Sequence, residues 1–275
     1  MPELPEVETV KNSLRDKING RIIKDVVVLY DGIIEYPDVK DFEVKIRNQK
    51  INDIERYGKW LMFVLDDYYL LSHLRMEGKY FIKSSLDEYV KHEHVVFRLD
   101  DGTDLRYMDV RKFGKMHLIE KDKIYEIGPL IDLGLEPWDS RLTIDYLKDK
   151  YCKKKLPIKS VLLDQSIIVG IGNIYADEIL FLSAINPYVR AMDLHDRDLS
   201  NIIKYTKEVL EDAIKQGGTT IKSYSSVNGV HGLFQQSLNV HSREGEECPC
   251  CGSEIIKVKI GGRGTYYCSK CQKFD

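Results

Sequence analysis

The sequence predicts an α+β chain in which strands come first, helices follow, and a small hairpin held on cysteines closes the C-terminus. Three observations carry this. Residues 21 to about 118 are dense in short β-type runs separated by turn signals. From residue 142 to 215 the apolar spacing changes to steps of three and four. Of six cysteines, five lie in the last 28 residues, four of them in two Cys-x-x-Cys pairs.

The first helix is legible at the N-terminus, where Leu4, Val7, Val10, Leu14 and Ile18 recur on one face. Pro2 and Pro5 stand where a first turn tolerates proline, because those positions need no helical N–H. Glu3, Glu6 and Glu8 crowd the positive end of the helix dipole. Strands are expected over Arg21–Tyr30, Trp60–Leu65, Tyr69–Leu74, His94–Leu99 and Leu105–Asp109, with turns at Asp66-Asp67 and Asp101-Gly102. That density suits an antiparallel sandwich or barrel. Gly128-Pro129 through Ser140 is the best linker candidate. Helices are expected over Leu142–Tyr151, Ile158–Asp164, Ile174–Ser183 and Leu199–Lys215, the last stopping at Gly217-Gly218. A polar, Gly/Ser-rich stretch, 219–232, follows.

The composition bounds function. The chain has 275 residues, enough for two domains, and is 43% hydrophobic, which argues against wholesale disorder. Its formal charge is −3, so a polyanion partner would need a local basic patch. The longest apolar runs fall far short of the ~20 residues that span a bilayer, and the acidic opening lacks a signal-peptide pattern. These features suggest a soluble, intracellular protein.

The motifs carry chemistry of unequal specificity. Cys248, Cys251, Cys268 and Cys271 form two pairs sixteen residues apart, the spacing of tetrahedral Zn²⁺ on two knuckles joined by a hairpin. Disulfides or idle thiols are the alternative, and Cys250, inside the first knuckle, could compete as a ligand. Arg263 at the hairpin turn reads as a phosphate fork or as a solvated turn arginine. Gly170-Ile-Gly172-Asn173 precedes a helix, an arrangement that binds anions through free N–H groups but lacks the dinucleotide spacing. Lys153-Lys154-Lys155 could add to one basic face or be a solvated charge run. Arg111-Lys112-Phe113 and Arg75-Met76 set cations beside apolar side chains that could wedge into a base stack, or pack in a core. His73 and His92 read either as packed or surface histidines or as phosphate donors.

The N-terminus is the most informative. Once Met1 is removed, Pro2 offers a secondary amine. An α-amino group has a pKa of about 8 against about 10.4 for lysine, so far more of it is free base near neutrality. Such an amine can attack an aldehydic sugar carbon to form an iminium, an electron sink, with Glu3 beside it to move protons. The alternative is that Pro2-Glu3 merely opens a helix.

Together Met1–Thr9, Gly58-Lys59, Asp109-Val-Arg-Lys-Phe-Gly114, Gly170-Ile-Gly-Asn-Ile-Tyr-Ala176 and Arg263–Gln272 resemble the formamidopyrimidine-DNA glycosylases, from end to end and in that family's order. The resemblance implies a bifunctional glycosylase/AP lyase that excises oxidised purines such as 8-oxoguanine and formamidopyrimidines. It implies an N-terminal β-sandwich with flanking helices (1–130), a linker (131–140), a helix–two-turn–helix module (141–240) and a zinc finger (241–275) with one structural Zn²⁺. DNA would lie in the cleft between the two halves. The implied partner is double-stranded DNA carrying oxidised bases or abasic sites; the enzyme would be a cytoplasmic monomer working at the nucleoid, off any membrane.

By position, Pro2 matches the Schiff-base nucleophile, Glu3 the proton donor, Lys59 the β-elimination lysine and Arg263 the δ-elimination and phosphate arginine. His92, Arg111 and Lys154 match DNA contacts, and Asn173 a phosphate contact. Met76, Arg111 and Phe113 match the trio that fills the void left by the extruded nucleotide, and 218–224 the loop that closes over the flipped base. The endonuclease VIII type, which prefers oxidised pyrimidines, is the near alternative; Leu4-Pro5-Glu6-Val7-Glu8-Thr9 favours the purine enzyme. Two departures stand out. Tyr57 replaces a basic residue common before Gly-Lys, and Leu238-Asn-Val-His-Ser-Arg243 replaces a more aromatic approach to the finger.

Overall fold

The computed structural model describes residues 2–219 and 233–274. The chain divides into two compact units, one of residues 2–132 with 217–219 and the other of 133–216 with 233–274.

In the first unit, α1 (Leu4–Ile18) opens the chain, followed by β1 (Ile23–Val28), β2 (Ile34–Tyr36), α2 (Val39–Ile46), β3 (Asp53–Tyr57), β4 (Trp60–Val64), β5 (Tyr68–His73), β6 (Lys79–Ser84), β7 (Glu93–Leu99), β8 (Thr103–Met108) and β9 (Lys115–Glu120). Two sheets form, of order β1-β7-β8-β6 and β2-β9-β5-β4-β3. Every pairing is antiparallel except β2 with β9. Apolar side chains of both sheets meet in one core: Val26, Val95, Phe97 and Leu105 from the first, Ile54, Leu61, Phe63 and Leu118 from the second. The expected sandwich is therefore present, and a closed barrel is not.

The predicted first helix and the α1 bounds coincide, and Val7, Val10, Leu14 and Ile18 all enter the core. The region expected to be mostly strands also contains α2, which is capped by the Asp38 carboxylate on the Asp41 N–H at 3.1 Å and buries Phe42 and Ile46. Its eight residues are too few to show a helical period amid β-branched neighbours. On the face of the first sheet turned away from the shared core, the wholly buried Arg106 guanidinium is neutralised by Glu93 and Asp104 and donates to the carbonyls of Ser84, Asp87 and Glu88. This shapes the loop that ends at His92.

The second unit holds α3 (Ile144–Tyr151), α4 (Ile158–Leu162), α5 (Asn173–Leu182), α6 (Asp196–Lys215) and the hairpin β10 (Ile256–Ile260) and β11 (Arg263–Tyr267). α5 packs against α6, α4 and β11, and α3 against α6. Phe181, Val240, Ile255, Cys248 and Cys268 make the small core that seats the hairpin. Within the expected linker, Leu135 bridges to Ile168 in this unit. Among the described residues, no helix is long and apolar enough to cross a membrane.

Phe97 is fully buried against Phe42, with ring centroids 6.4 Å apart. Phe97→Ala is expected to cost about 3–5 kcal/mol, read as a lower urea midpoint of the first unit's unfolding; an unchanged midpoint would show that the two sheets do not share this core.

Candidate active site and nucleic-acid interface

The register of α1 on β3 organises the first group of candidates. Glu8 pairs with Arg56 at 2.8 Å and Arg15 with Asp53 at 2.7 Å, so helix and strand run in opposite directions. The N-terminal end of α1, with Pro2 and Glu3, therefore falls at the same end as the β3–β4 turn, Gly58-Lys59. The Arg56 guanidinium also donates to the Gly58 carbonyl at 3.0 Å, holding that turn. Burial alone would raise the Glu8 carboxyl, but the bonds from Lys11 and Arg56 outweigh it and hold the group below the usual carboxylate range. Pro2, Glu3 and Lys59 are all buried, Lys59 being 6% exposed.

Glu6 is the polar centre of this end. Its carboxylate accepts the Glu3 N–H at 2.8 Å, closing the first turn of α1, and accepts the Thr219 N–H and hydroxyl at 2.8 and 3.0 Å. Residues 213 positions apart are thus joined on one buried carboxylate. Of the expected base-covering loop, 218–224, only Gly218 and Thr219 are among the described residues; 220–224 lie outside them.

His73 faces Trp60 edge-on at 4.8 Å, and its Nδ1 accepts the Arg75 N–H at 2.9 Å. Burial, then the charges of Arg75 and Lys59, pull its pKa down to about 3, so the ring is neutral. With Nδ1 accepting, the neutral ring carries its proton on Nε2, which is the donor a phosphate contact requires. Met76, Arg111 and Phe113 do converge: the Arg111 Nη1 lies 3.0 Å from the Met76 sulfur, and its guanidinium sits 4.8 Å over the Phe113 ring. Phe113 is 48% exposed and Met76 38%, so both side chains of the cluster are open to solvent. His92, at φ +73°, stands 6.4 Å from the His94 ring, and its carbonyl accepts the Asp109 N–H.

In the second unit, the Gln165 amide shapes the glycine turn, accepting the Gly170 N–H at 2.9 Å and donating to the Ile171 carbonyl at 3.0 Å. α5 starts there, with Asn173 at its first position. The Asn173 Nδ2 donates to the Gly264 carbonyl at 2.9 Å, which brings it beside Arg263 on the hairpin. Arg263 is exposed and follows the Gly261-Gly262 turn directly. Lys154 is partly exposed and pairs with Asp164 at 3.0 Å.

The four expected cysteine sulfurs lie within 4.8 Å of one another, with Cys248–Cys271 at 3.8 Å and Cys251–Cys268 at 3.5 Å. A tetrahedron with Zn–S bonds of about 2.3 Å places its sulfurs about 3.8 Å apart. The set fits one zinc ion, and the exposed Cys250 is not part of it. Thiols ligate only once deprotonated; hydrogen bonds from Ser253 draw Cys251 down to about 6, while burial pushes Cys268 and Cys271 up.

Some structural residues gave no signal in the sequence. Glu178 accepts the N–H groups of Asn239, Val240 and His241 and the Asn239 side-chain amide, all within 3.0 Å. Asp177 joins the buried Lys159 and the His241 Nδ1, each at 2.6 Å. Acidic residues inside an apolar helix, as at Asp177-Glu178, are the available cue that a partner segment must supply donors.

Known proteins resemble the chain along its length. The family model described as "Formamidopyrimidine-DNA glycosylase N-terminal domain" matches residues 1–116, "Formamidopyrimidine-DNA glycosylase H2TH domain" residues 133–225, and "Zinc finger found in FPG and IleRS" residues 245–273. Relatives named formamidopyrimidine-DNA glycosylase include one from Shouchella clausii, 47% identical, and one from Bacillus cereus, 45% identical, each over 99% of both chains. Among solved structures, Lactococcus lactis Fpg in complex with DNA containing an abasic site superposes with a TM-score of 0.92 at 36% identity, covering 99% of this chain and 100% of that one. The same enzyme with DNA containing N7-benzyl-Fapy-dG also gives 0.92.

Two outcomes are expected. A Cβ at Gly218 would lie 2.7 Å from the Glu6 Oε1, at a φ of +78° that side chains rarely adopt. Gly218→Ala should therefore displace the shared carboxylate and cost about 1–3 kcal/mol, seen as a lower thermal midpoint; wild-type stability would refute the Glu6 link. Native mass spectrometry should find one zinc per chain, retained by Cys250→Ser and lost from Cys268→Ser; zinc loss from the first variant would put Cys250 in the ligand set.

Proposed function

This chain belongs to the formamidopyrimidine-DNA glycosylase family, and we propose that it excises oxidised purines from double-stranded DNA through a Schiff base on Pro2, then cleaves the strand by β,δ-elimination. The enzyme class is that of a DNA-formamidopyrimidine glycosylase of base-excision repair acting on damaged DNA. The observation that carries the assignment of roles is the α1–β3 register, which sets a terminal imino group, a buried carboxyl and a buried lysine at one end of the sandwich.

A base stacked in a duplex hides its sugar C1′, so the nucleotide must be extruded, at a cost of roughly a few kcal/mol. Met76, Arg111 and Phe113 offset that cost by filling the void, with the Arg111 cation held against the Phe113 ring face. Lys154, Asn173, His92 and Arg263 clamp phosphates. His73, whose Nδ1 is taken by the Arg75 N–H, turns its Nε2–H to a phosphate beside the Lys59 turn. The Pro2 nitrogen attacks C1′ as the glycosidic bond breaks and the base departs with the amine's proton; the sugar ring then opens as the C1′–O4′ bond breaks, Glu3 protonating O4′. The resulting iminium acidifies C2′; Lys59 takes that proton, the 3′-phosphate leaves, and a second elimination assisted by Arg263 expels the 5′-phosphate.

Four working parts fit this reading: a catalytic sandwich (1–130), a linker (131–140), a helical DNA-binding module (141–240) and a finger (241–275) in which zinc fixes the hairpin bearing Arg263. The enzyme works as a monomer in the cytoplasm, on the chromosome at the nucleoid.

Borohydride should trap a covalent adduct between Met-processed protein and an 8-oxoguanine duplex, and Pro2→Gly should cut single-turnover excision by more than about 100-fold. Wild-type nicking by that variant would reject the nucleophile. With Lys154 and Arg263 as the cations on phosphates, log Kd should change with log salt with a slope of magnitude about 2, and Lys154→Ala should reduce it by about 0.9; a flat salt response rejects the clamp.

A further inference from the structure

We propose that Asp109 is the positioning residue of the void-filling loop: through one buried carboxylate it presents Arg111 and Phe113 as a preformed wedge. The inference rests on the glycosylase reading of the trio and assigns a role to a residue that touches neither base nor sugar.

Asp109 is 1% exposed, although it lies at the root of a loop whose tip is open to solvent. Its Oδ1 accepts the Arg111 N–H at 3.0 Å, while its Oδ2 accepts the Phe113 N–H at 2.9 Å and the Gly114 N–H at 2.8 Å. A single side chain thus satisfies three loop donors, while the Lys112 N–H between them bonds the Asp109 carbonyl. Its own backbone is fixed as well. The Asp109 N–H donates to the His92 carbonyl at 3.0 Å, and its carbonyl lies 2.8 Å from the His94 Nε2. The loop is therefore referenced to β7 rather than left to fluctuate.

The bonds dictate where the side chains go. Lys112, at φ +58°, sends its ammonium over the Tyr30 ring at 4.3 Å. Arg111 and Phe113, on either side of it, meet each other instead. Tyr107 supplies the floor. A Cβ at Gly114 would lie 1.7 Å from the Tyr107 hydroxyl oxygen and one at Gly78 2.3 Å from it, so both turns carrying the trio pass against the same hydroxyl. Met76, Arg111 and Phe113 come from separate turns, yet share one buried polar foundation of Tyr107 and Asp109.

A wedge must arrive ordered, because any entropy lost on ordering it in the complex is subtracted from what it contributes to extrusion. Asp109→Asn keeps the shape but turns an NH₂ toward either the Arg111 N–H or the Phe113 and Gly114 N–H groups, so the anchorage is broken without a cavity.

The experiment compares two substrates. On a duplex with 8-oxoguanine opposite cytosine, where a stack must be opened, Asp109→Asn should lower the single-turnover excision rate by about 10–100-fold. On a single-stranded abasic oligonucleotide, which has no stack to open, borohydride trapping should stay within about twofold of wild type. In a Phe113→Ala background, adding Asp109→Asn should have a much smaller effect on excision, since both act through one wedge. Equal rates on the duplex, or equal losses on both substrates, overturn the proposal. If Asp109→Asn does not fold, Asp109→Glu must show the same split. Wild-type protein that fails to excise from the duplex refutes the glycosylase reading itself, whatever the variants do.

Discussion

A nucleophile at the chain terminus meets a physical difficulty, because termini fray and a frayed amine cannot be aimed. The fold answers with the Glu6 carboxylate, which closes the first turn of α1 through the Glu3 N–H and ties that turn to Thr219. Pro5 fixes one backbone angle in the same turn. The Glu8–Arg56 pair then sets the helix on β3 in the register that brings Lys59 to this end. An exposed ion pair would contribute little. This pair is largely shielded, and Arg56 also binds the Gly58 carbonyl, so its value lies in fixing geometry as much as in stability.

The second unit solves a related problem with the same device, a buried carboxylate that gathers N–H donors. A zinc hairpin is too small to hold its own orientation, and here acidic groups on α5 do so. Glu178 gathers the donors of 239–241, and Asp177 bridges Lys159 and His241. Asn239 and His241, which depart from the family's more aromatic approach segment, are absorbed by these carboxylates: the Asn239 amide reaches Glu178, and the His241 ring reaches Asp177 while packing 4.9 Å from Tyr266. Gln272 completes the seat, bonding the Cys268 N–H and the Ile185 carbonyl.

What the sequence revealed follows from the range of the forces involved. α1, the helices of the second unit and the four cysteines are encoded by local period and spacing, and all are found at or within a few residues of their expected places. The convergence of Met76 with Arg111 and Phe113 was visible only through family resemblance, since two turns 35 residues apart carry no joint periodicity. The roles of Glu6 and Asp109 were silent because most of their partners are backbone N–H groups, which every residue supplies and no composition advertises. His73 was ambiguous for another reason: burial decides whether an imidazole is a cation, and burial is a property of β4 and β5 together.

The presence of two amines at one end of the sandwich raises the question of which attacks, and elementary chemistry separates them. Lysine forms a neutral imine that must be protonated before it withdraws electrons. The secondary amine of Pro2 forms an iminium that has no N–H to lose; it takes up electrons as an enamine when C2′ loses its proton and regains its charge as the phosphate leaves. Its lower intrinsic pKa also leaves more free base near neutrality. Pro2 is thus the better electron sink and Lys59 the better mobile proton carrier, with the neutral His73 nearby adding no competing cation. Burying both amines at one end is reasonable only if they do different work, and the chemistry gives each a step the other performs poorly.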